Sequence, residues 1–250
     1  MADALLRVES VSMRFDGLLA VDDASFTAQH TQITALIGPN GAGKSTLFSI
    51  ISGFQRPTAG RVIYDGADVT GEPPHRLARR AIARTFQIAQ PFAGLTVREN
   101  IAVGSHLALR ARGDALRAAD EIARMIGLAD RLDQSAAALT VAGRKRLELA
   151  RALAIRPRLL LLDEVLAGLN PSEIRDMVPI IRAVRDRGVT IVMIEHVMQA
   201  VMSLADYIFV LAEGRIIAQG TAQAIAANSR VVELYLGRGA RPPMAGANRG

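Results

Sequence analysis

The run Gly38-Pro39-Asn40-Gly41-Ala42-Gly43-Lys44-Ser45 could hold a chain of phosphates. Its spacing satisfies G-x-x-x-x-G-K-[ST]. Glycines so placed let the backbone wrap until several amides point at one set of anionic oxygens, and a helix starting near Lys44 would add its positive end. Lys44 would reach the β- and γ-phosphates of a nucleotide, the Ser45 hydroxyl would ligate Mg2+, and Thr46 completes the candidate set. Without a strand before it and a helix after it, the same run would be only a glycine-rich turn.

Asp163 and Glu164 follow the apolar run Leu159 to Leu162. Two acids ending a strand are ordinarily a solvated strand end. Adjacent parallel strands would bring this end close to the phosphate loop, where Asp163 could hold Mg2+ through water and Glu164 could polarise an attacking water. His196 follows another apolar run and could hydrogen-bond a γ-phosphate, although a lone histidine there is more often structural. Gln87, in Arg84-Thr-Phe-Gln87, carries no signal by itself.

These residues need elements to position them. Ile33 to Ile37 (ITALI) predicts a buried strand running straight into the glycine loop, and Leu47 to Ile51 predicts the helix after it. Leu6 to Arg14, Ala24 to Ala28 and Arg61 to Tyr64 predict the strands of an edge sheet. From about Ala93 to Leu153 strand signals vanish and Ala, Leu and Arg dominate, which predicts an inserted helical lobe at about 90–155. Within it, Thr96-Val-Arg-Glu99 is a capping box. Asn170-Pro171-Ser172-Glu173 marks another helix start, with a helix to about Arg187, and Thr190 to Ile194 is the next strand. Strands alternating with helices predict an α/β fold with a mostly parallel sheet, in which ligands sit at the strands' carboxyl ends. The single domain is expected over 1–237, with 238–250, rich in Gly, Pro and Ala, as a loose tail.

Composition narrows the chemistry. The chain has 250 residues and no cysteine, so disulfides, thiolate metal sites and cysteine nucleophiles are out of reach. No apolar run approaches the ~20 residues that cross a bilayer, and Met1 to Ser10 lacks the pattern of a secretory signal. A role at a membrane is therefore expected to run through a partner. The net charge is +6, but acidic residues are scattered among the basic ones, so no nucleic-acid partner is expected. Lys44 and Lys145 are the only lysines among many arginines, which singles out Lys44.

The ordered set of phosphate loop, Gln87, helical lobe, Leu139 to Gly143, Asp163-Glu164, Ala167 to Asn170 and His196 resembles the ABC transporter nucleotide-binding subunit over about residues 5–237. The resemblance implies a P-loop NTPase core with an N-terminal antiparallel β-subdomain and an inserted α-helical subdomain. It implies ATP and Mg2+ as ligands, with Gln87 contacting the metal, Asp163 and Glu164 as the Walker B pair, His196 as the switch histidine and Phe15 stacking on adenine. Ala167, Gly168, Leu169 and Asn170 would form the D-loop. Leu139, Thr140, Val141, Ala142 and Gly143 would form the signature loop, which faces the nucleotide of a second ATPase subunit. Here the sequence departs from the L-S-G-G-Q pattern: Thr140 keeps the hydroxyl, but Val141 and Ala142 replace both glycines, so a Cβ intrudes where phosphate should approach. That implies a slower ATP site, completed by this loop.

Finer phrases, among them Ala167-Gly-Leu-Asn-Pro171, Ile194-Glu-His-Val-Met198 and Val231 to Gly237, resemble the Liv-type branched-chain amino-acid importer ATPases. The implied partners are a second ATPase subunit, in a heterodimer or a homodimer, two transmembrane permease subunits and, indirectly, an external solute-binding protein. The implied location is peripheral, on the cytoplasmic face of a bacterial inner membrane. The alternatives are a urea or amide importer, a lipopolysaccharide-type exporter, a non-transport ABC protein and a weakly hydrolysing regulatory subunit.

Overall fold

The structure is a computed structural model that describes residues 4–87 and 90–236. The expected tail at 238–250 lies outside the described residues.

Two sheets organise the chain. A four-stranded antiparallel sheet has the order β2-β1-β4-β5, built from β1 (Ala4–Phe15), β2 (Leu18–Gln29), β4 (Ala59–Tyr64) and β5 (Ala67–Asp68). A six-stranded sheet has the order β10-β9-β3-β8-β7-β6, built from β3 (Ile33–Ile37), β6 (Ile82–Arg84), β7 (Leu159–Asp163), β8 (Thr190–Ile194), β9 (Tyr207–Ala212) and β10 (Arg215–Gly220). Its pairs are parallel except for the hairpin β9–β10. β3, β7 and β8 are buried at every position, as β-branched and leucine runs covered on both faces should be.

Alternation along these strands divides the core. Ile33, Ala35 and Ile37, Leu160 and Leu162, and Ile191 and Met193 face a helical layer containing α6 (Pro171–Asp186) and α7 (Met198–Leu204). Leu36, Leu159, Leu161, Val192 and Ile194 face the antiparallel sheet and α1 (Lys44–Ile51), where Phe48 and Phe26 fill the gap. The short α2 (Pro74–Arg79) precedes β6, and between β6 and β7 come α3 (Val97–Ser105), α4 (Arg112–Met125) and α5 (Val141–Ala154). Their alanine-rich inner faces, Ala115, Ala119 and Ala123 with Ile101 and Leu147, join the same buried cluster as one face of the sheet. Small side chains let these helices pack closely on the core without a separate interior.

The capping residues act as their types require. Thr96 Oγ1 accepts from Glu99 N at 3.2 Å while Glu99 Oε2 accepts from Thr96 N at 3.0 Å, which fixes the start of α3. Asn170 Oδ1 accepts from the Ser172 and Glu173 amides, each at 3.0 Å, with Pro171 at the first turn of α6.

One expectation needs amendment. The phosphate-loop strand and the Asp163 strand are not neighbours, because β8 lies between β3 and β7 and hydrogen-bonds to both. The helix after the loop begins at Lys44, where the phosphate-loop spacing places it, with Gly43 as its N-cap. Replacing Leu161, fully buried on β7, with alanine is expected to lower unfolding free energy by about 2–5 kcal/mol, measured as a shift of the urea midpoint at unchanged slope.

Candidate functional site

Four neighbouring parallel strands, β3, β8, β7 and β6, deliver the candidate residues to one edge of the sheet. β3 ends at Ile37 and runs into the glycine loop, β8 ends two residues before His196, β7 ends at Asp163, and β6 ends three residues before Gln87. One cleft at this edge is lined by Ala20, Asn40, Gly41, Ala42, Gly43, Lys44, Ser45, Thr46, Gln87, Glu164 and His196.

Close packing shapes the loop. Gly43 has φ 102°, and a Cβ there would sit 2.4 Å from the Ala20 carbonyl of β2. At Gly38 a Cβ would meet the Leu211 carbonyl at 2.0 Å. Ala42 O accepts from Gly214 N at 3.1 Å, which braces the loop against the β9–β10 turn. Lys44 is buried, and its Nζ donates to Gly38 O at 2.8 Å and Pro39 O at 2.9 Å. Burial lowers its pKa, and the charges of Glu164 and Asp163 work against that fall. The ammonium is thus held at the loop's centre by its own carbonyls.

The acids are held with equal care. Glu164 Oε2 accepts from Gln87 Nε2 at 2.7 Å. Asp163 is 5% exposed and its Oδ2 accepts from Arg84 Nη2 at 2.8 Å. Arg84 also donates to Ser52 Oγ at 2.9 Å and lies 5.3–5.8 Å from the ring centres of Phe48, Phe54 and Phe86. The aromatic faces compensate a guanidinium withdrawn from water.

Oxygen donors here suit a hard cation. Among the described residues no group of three or more His, Asp or Glu side chains could hold a metal. The Ser45 hydroxyl, the Gln87 amide and Asp163 line a second cleft together. That donor set fits Mg2+, which is bound by one or two protein oxygens along with substrate phosphates.

The remaining candidates lie elsewhere. Phe15 is 38% exposed at the tip of the β1–β2 hairpin and does not line the phosphate cleft, although Ala20 of the same hairpin does. Leu139 is buried, and Thr140 caps α5, its Oγ1 accepting from Gly143 N at 3.2 Å. Val141, at the first turn, is 60% exposed. Ala167, Gly168 and Leu169 lead into the α6 cap at Asn170. None of these lines the phosphate cleft.

Sequence reasoning passed over three charged residues here. Arg84 was visible only as part of a phrase. Lys145, on α5, donates to Gln87 O at 2.7 Å and Glu164 O at 3.0 Å, and its rarity in an arginine-rich chain was the available signal. Glu195 is 1% exposed at the end of β8 and its Oε1 accepts from Leu166 N at 2.8 Å. Burial, with the Glu164 charge adding to it, pushes its pKa up to about 7, against hydrogen bonds from the Leu166 and His196 amides and the Lys145 charge.

A glycine loop between strand and helix, with a lysine at its centre and two acids at a nearby strand end, defines a nucleoside triphosphatase of the phosphate-loop class. Residues 21–167 match the family model described as ABC transporter. The chain is 38% identical, over 95% of its length and 99% of the relative's, to the high-affinity branched-chain amino acid transport ATP-binding protein BraF of Pseudomonas aeruginosa. It is 36% identical to the probable branched-chain amino acid transport ATP-binding protein LivG of Archaeoglobus fulgidus, over 93% and 95%. A crystal structure of a nucleotide-free ATP-binding cassette from an ABC transporter superposes with TM-score 0.85 at 30% identity, over 93% of this chain and 99% of that one. One in an ADP conformation gives 0.84 at 30%, over 94% and 100%. The chain belongs to the ABC transporter family and is an ATP-hydrolysing subunit.

Glu195 generates a pH prediction. Between its ordinary value of 4.5 and about 7, the folded chain keeps a proton that the unfolded chain has released. Its contribution to stability is therefore full below pH 4.5, is lost as pH rises to about 7, and is flat above. Glu195→Gln keeps the acceptor for Leu166 N and removes this loss. Melting temperature against pH should show the variant gaining on the native protein as pH rises from 5 to 8, a gain that is absent if the carboxylate ionises normally.

Proposed function

We propose that this chain is the ATPase subunit of an importer for branched-chain amino acids, coupling hydrolysis to transport through separate membrane subunits. The observation that carries the reading is the convergence of Lys44, Glu164, Gln87 and His196 on one cleft in a chain whose relatives carry branched-chain amino acid transport in their names.

In this reading the amides of residues 38–43 and Lys44 hold the β- and γ-phosphates of ATP, and Phe15 stacks on the adenine. Ser45, Gln87 and Asp163 would hold Mg2+, which neutralises charge on the phosphates when bound. Glu164 orients the water that attacks the γ-phosphorus as the bond to the bridging oxygen breaks, and His196 hydrogen-bonds the transferred group. The Gln87–Glu164 contact supports this assignment, since it sets the amide that would contact the metal beside the carboxylate that orients the water.

A second ATPase subunit, in a heterodimer or homodimer, presents its own loop to this cleft, and Leu139 to Gly143 with the D-loop Ala167–Asn170 face the partner's nucleotide. Thr140 and the exposed Val141 at the start of α5 favour a slower site there, because the hydroxyl already caps the helix and the valine side chain stands where phosphate would approach. Permease subunits have a fitting surface. A groove beside the helical lobe exposes Phe54, Phe86, Phe92 and Val103, with Arg151 stacked on Phe92 at 4.6 Å. No helix among the described residues is long and apolar enough to cross a membrane. In this reading attachment is peripheral, at the cytoplasmic face, with solute delivered by an external binding protein.

The test is uptake of labelled leucine, urea and short amides in cells lacking this gene. Leucine uptake should return with the native chain and not with Lys44→Ala; a response confined to urea or amides would move the substrate class. In mixed dimers, disabling the site completed by Leu139–Gly143 should cost less hydrolysis than disabling the other, and equal losses would remove the asymmetry.

A further inference from the structure

Lys44 serves the phosphate loop, but Lys145 is the other lysine in the chain and the function above does not use it. It is 7% exposed, and its ammonium donates to main-chain carbonyls of two segments outside its own helix, Gln87 at 2.7 Å and Glu164 at 3.0 Å. Burial lowers its pKa, and the carboxylates of Glu195, Glu164, Asp163 and Glu148 oppose that fall. A compact ammonium with rotatable donors suits two carbonyls converging from different segments.

The carbonyl at Glu164 belongs to a strained residue. Glu164 has φ 48°, in the left-handed region that non-glycine residues rarely occupy. Such a conformation costs on the order of 1–3 kcal/mol and persists only where its surroundings impose it. The constraints are visible: Glu164 N donates to Ile194 O at 3.0 Å, and Glu164 O accepts from both Ala167 N at 3.2 Å and Lys145 Nζ. The Gln87 side chain then holds the Glu164 carboxylate at 2.7 Å. Lys145, Gln87 and Glu164 therefore close a ring of three hydrogen bonds, with main chain held from one side and the carboxylate from the other.

We propose that Lys145 is a positioning residue for hydrolysis, clamping the main chains of Gln87 and Glu164 to α5 so that the direction of the Glu164 carboxylate follows the placement of that helix. α5 begins at Val141, one turn before Lys145, so the segment Leu139–Gly143 and this chain's own carboxylate move as one body. A partner that displaces the start of α5 thereby alters the hydrolytic geometry in this chain's own cleft. The proposal rests on the reading of Glu164 as the group that orients water.

The test uses the full chain with Lys145→Met, which keeps the length but loses charge and donors, Lys145→Arg, Glu164→Gln, and Lys145→Met combined with Glu164→Gln. For each, kcat, the Kd for a fluorescent ATP analogue and the melting temperature are measured. Lys145→Met is expected to lower kcat by about tenfold or more while Kd moves by less than about twofold. Lys145→Arg, which keeps charge and donors on a bulkier planar head, should lose less kcat than Lys145→Met, and the Met substitution should add nothing to Glu164→Gln, because both act through one carboxylate. If Lys145→Met has no folded transition, Lys145→Gln takes its place under the same criteria. A kcat within about twofold of native, or losses that multiply in the double variant, would overturn the proposal. Native hydrolysis by Glu164→Gln would instead remove the reading of Glu164 itself.

Discussion

The parallel register of β6, β7, β8 and β3 is the constraint on which the site depends. Arg84 lies opposite Leu161, Asp163 opposite Ile194, and Leu36 opposite the same Ile194 on the other side. The strands therefore end nearly in line, and because they are parallel every loop that leaves them leaves on one edge. Gln87, Glu164, His196 and the glycine loop come from segments far apart in sequence, yet they meet with no long reach by any side chain. Slipping one strand by a residue would send its buried side chains to the opposite layer. The two apolar layers that fix the register thus also fix the site.

Behind that edge lies an unusual density of buried charge. Lys44, Lys145, Asp163, Glu148 and Glu195 are all nearly withdrawn from water, and Arg84 is almost so. Isolated charges in such a setting would be costly. Here each has a defined partner: loop carbonyls for Lys44, carbonyls of two segments for Lys145, a guanidinium for Asp163, Arg151 for Glu148, and the Leu166 amide for Glu195. Glu195 is the least satisfied, since its Oε2 has no partner among the described residues. A polar shell held by fixed hydrogen bonds is already arranged before substrate arrives, which is what stabilising a highly charged transition state requires.

The helical lobe is not mechanically separate from this shell. Its inner alanines join the sheet's own cluster, and α5 is tied through Lys145 to the main chains of Gln87 and Glu164, which line the cleft. Arg84 lines both the second cleft and the groove beside the lobe: it holds Asp163 on one side, and Phe54 and Phe86 beside it are exposed in the groove on the other. The exposed apolar groove is therefore one or two side chains from the candidate site.

Much of this was legible in the sequence because the signals are local. A strand followed by G-x-x-x-x-G-K-S, a leucine run ending in two acids, and caps at Thr96 and Asn170 each depend on a few consecutive residues whose backbone geometry is set by their types. The limits of β3 and β8 were readable for the same reason: their apolar, β-branched runs stop at polar or glycine residues. What the tertiary structure alone decided is which distant segments touch. That β8 stands between β3 and β7, that Arg84 meets Asp163, that Glu164 sits in a left-handed conformation and that Lys145 ties it to Gln87 all depend on the order of strands and the packing of α5 onto them. Strand order is chosen by the whole core rather than by any one run, so no local pattern encodes it, and a lysine in a helix looks the same in sequence whether it meets water or two carbonyls of an active site.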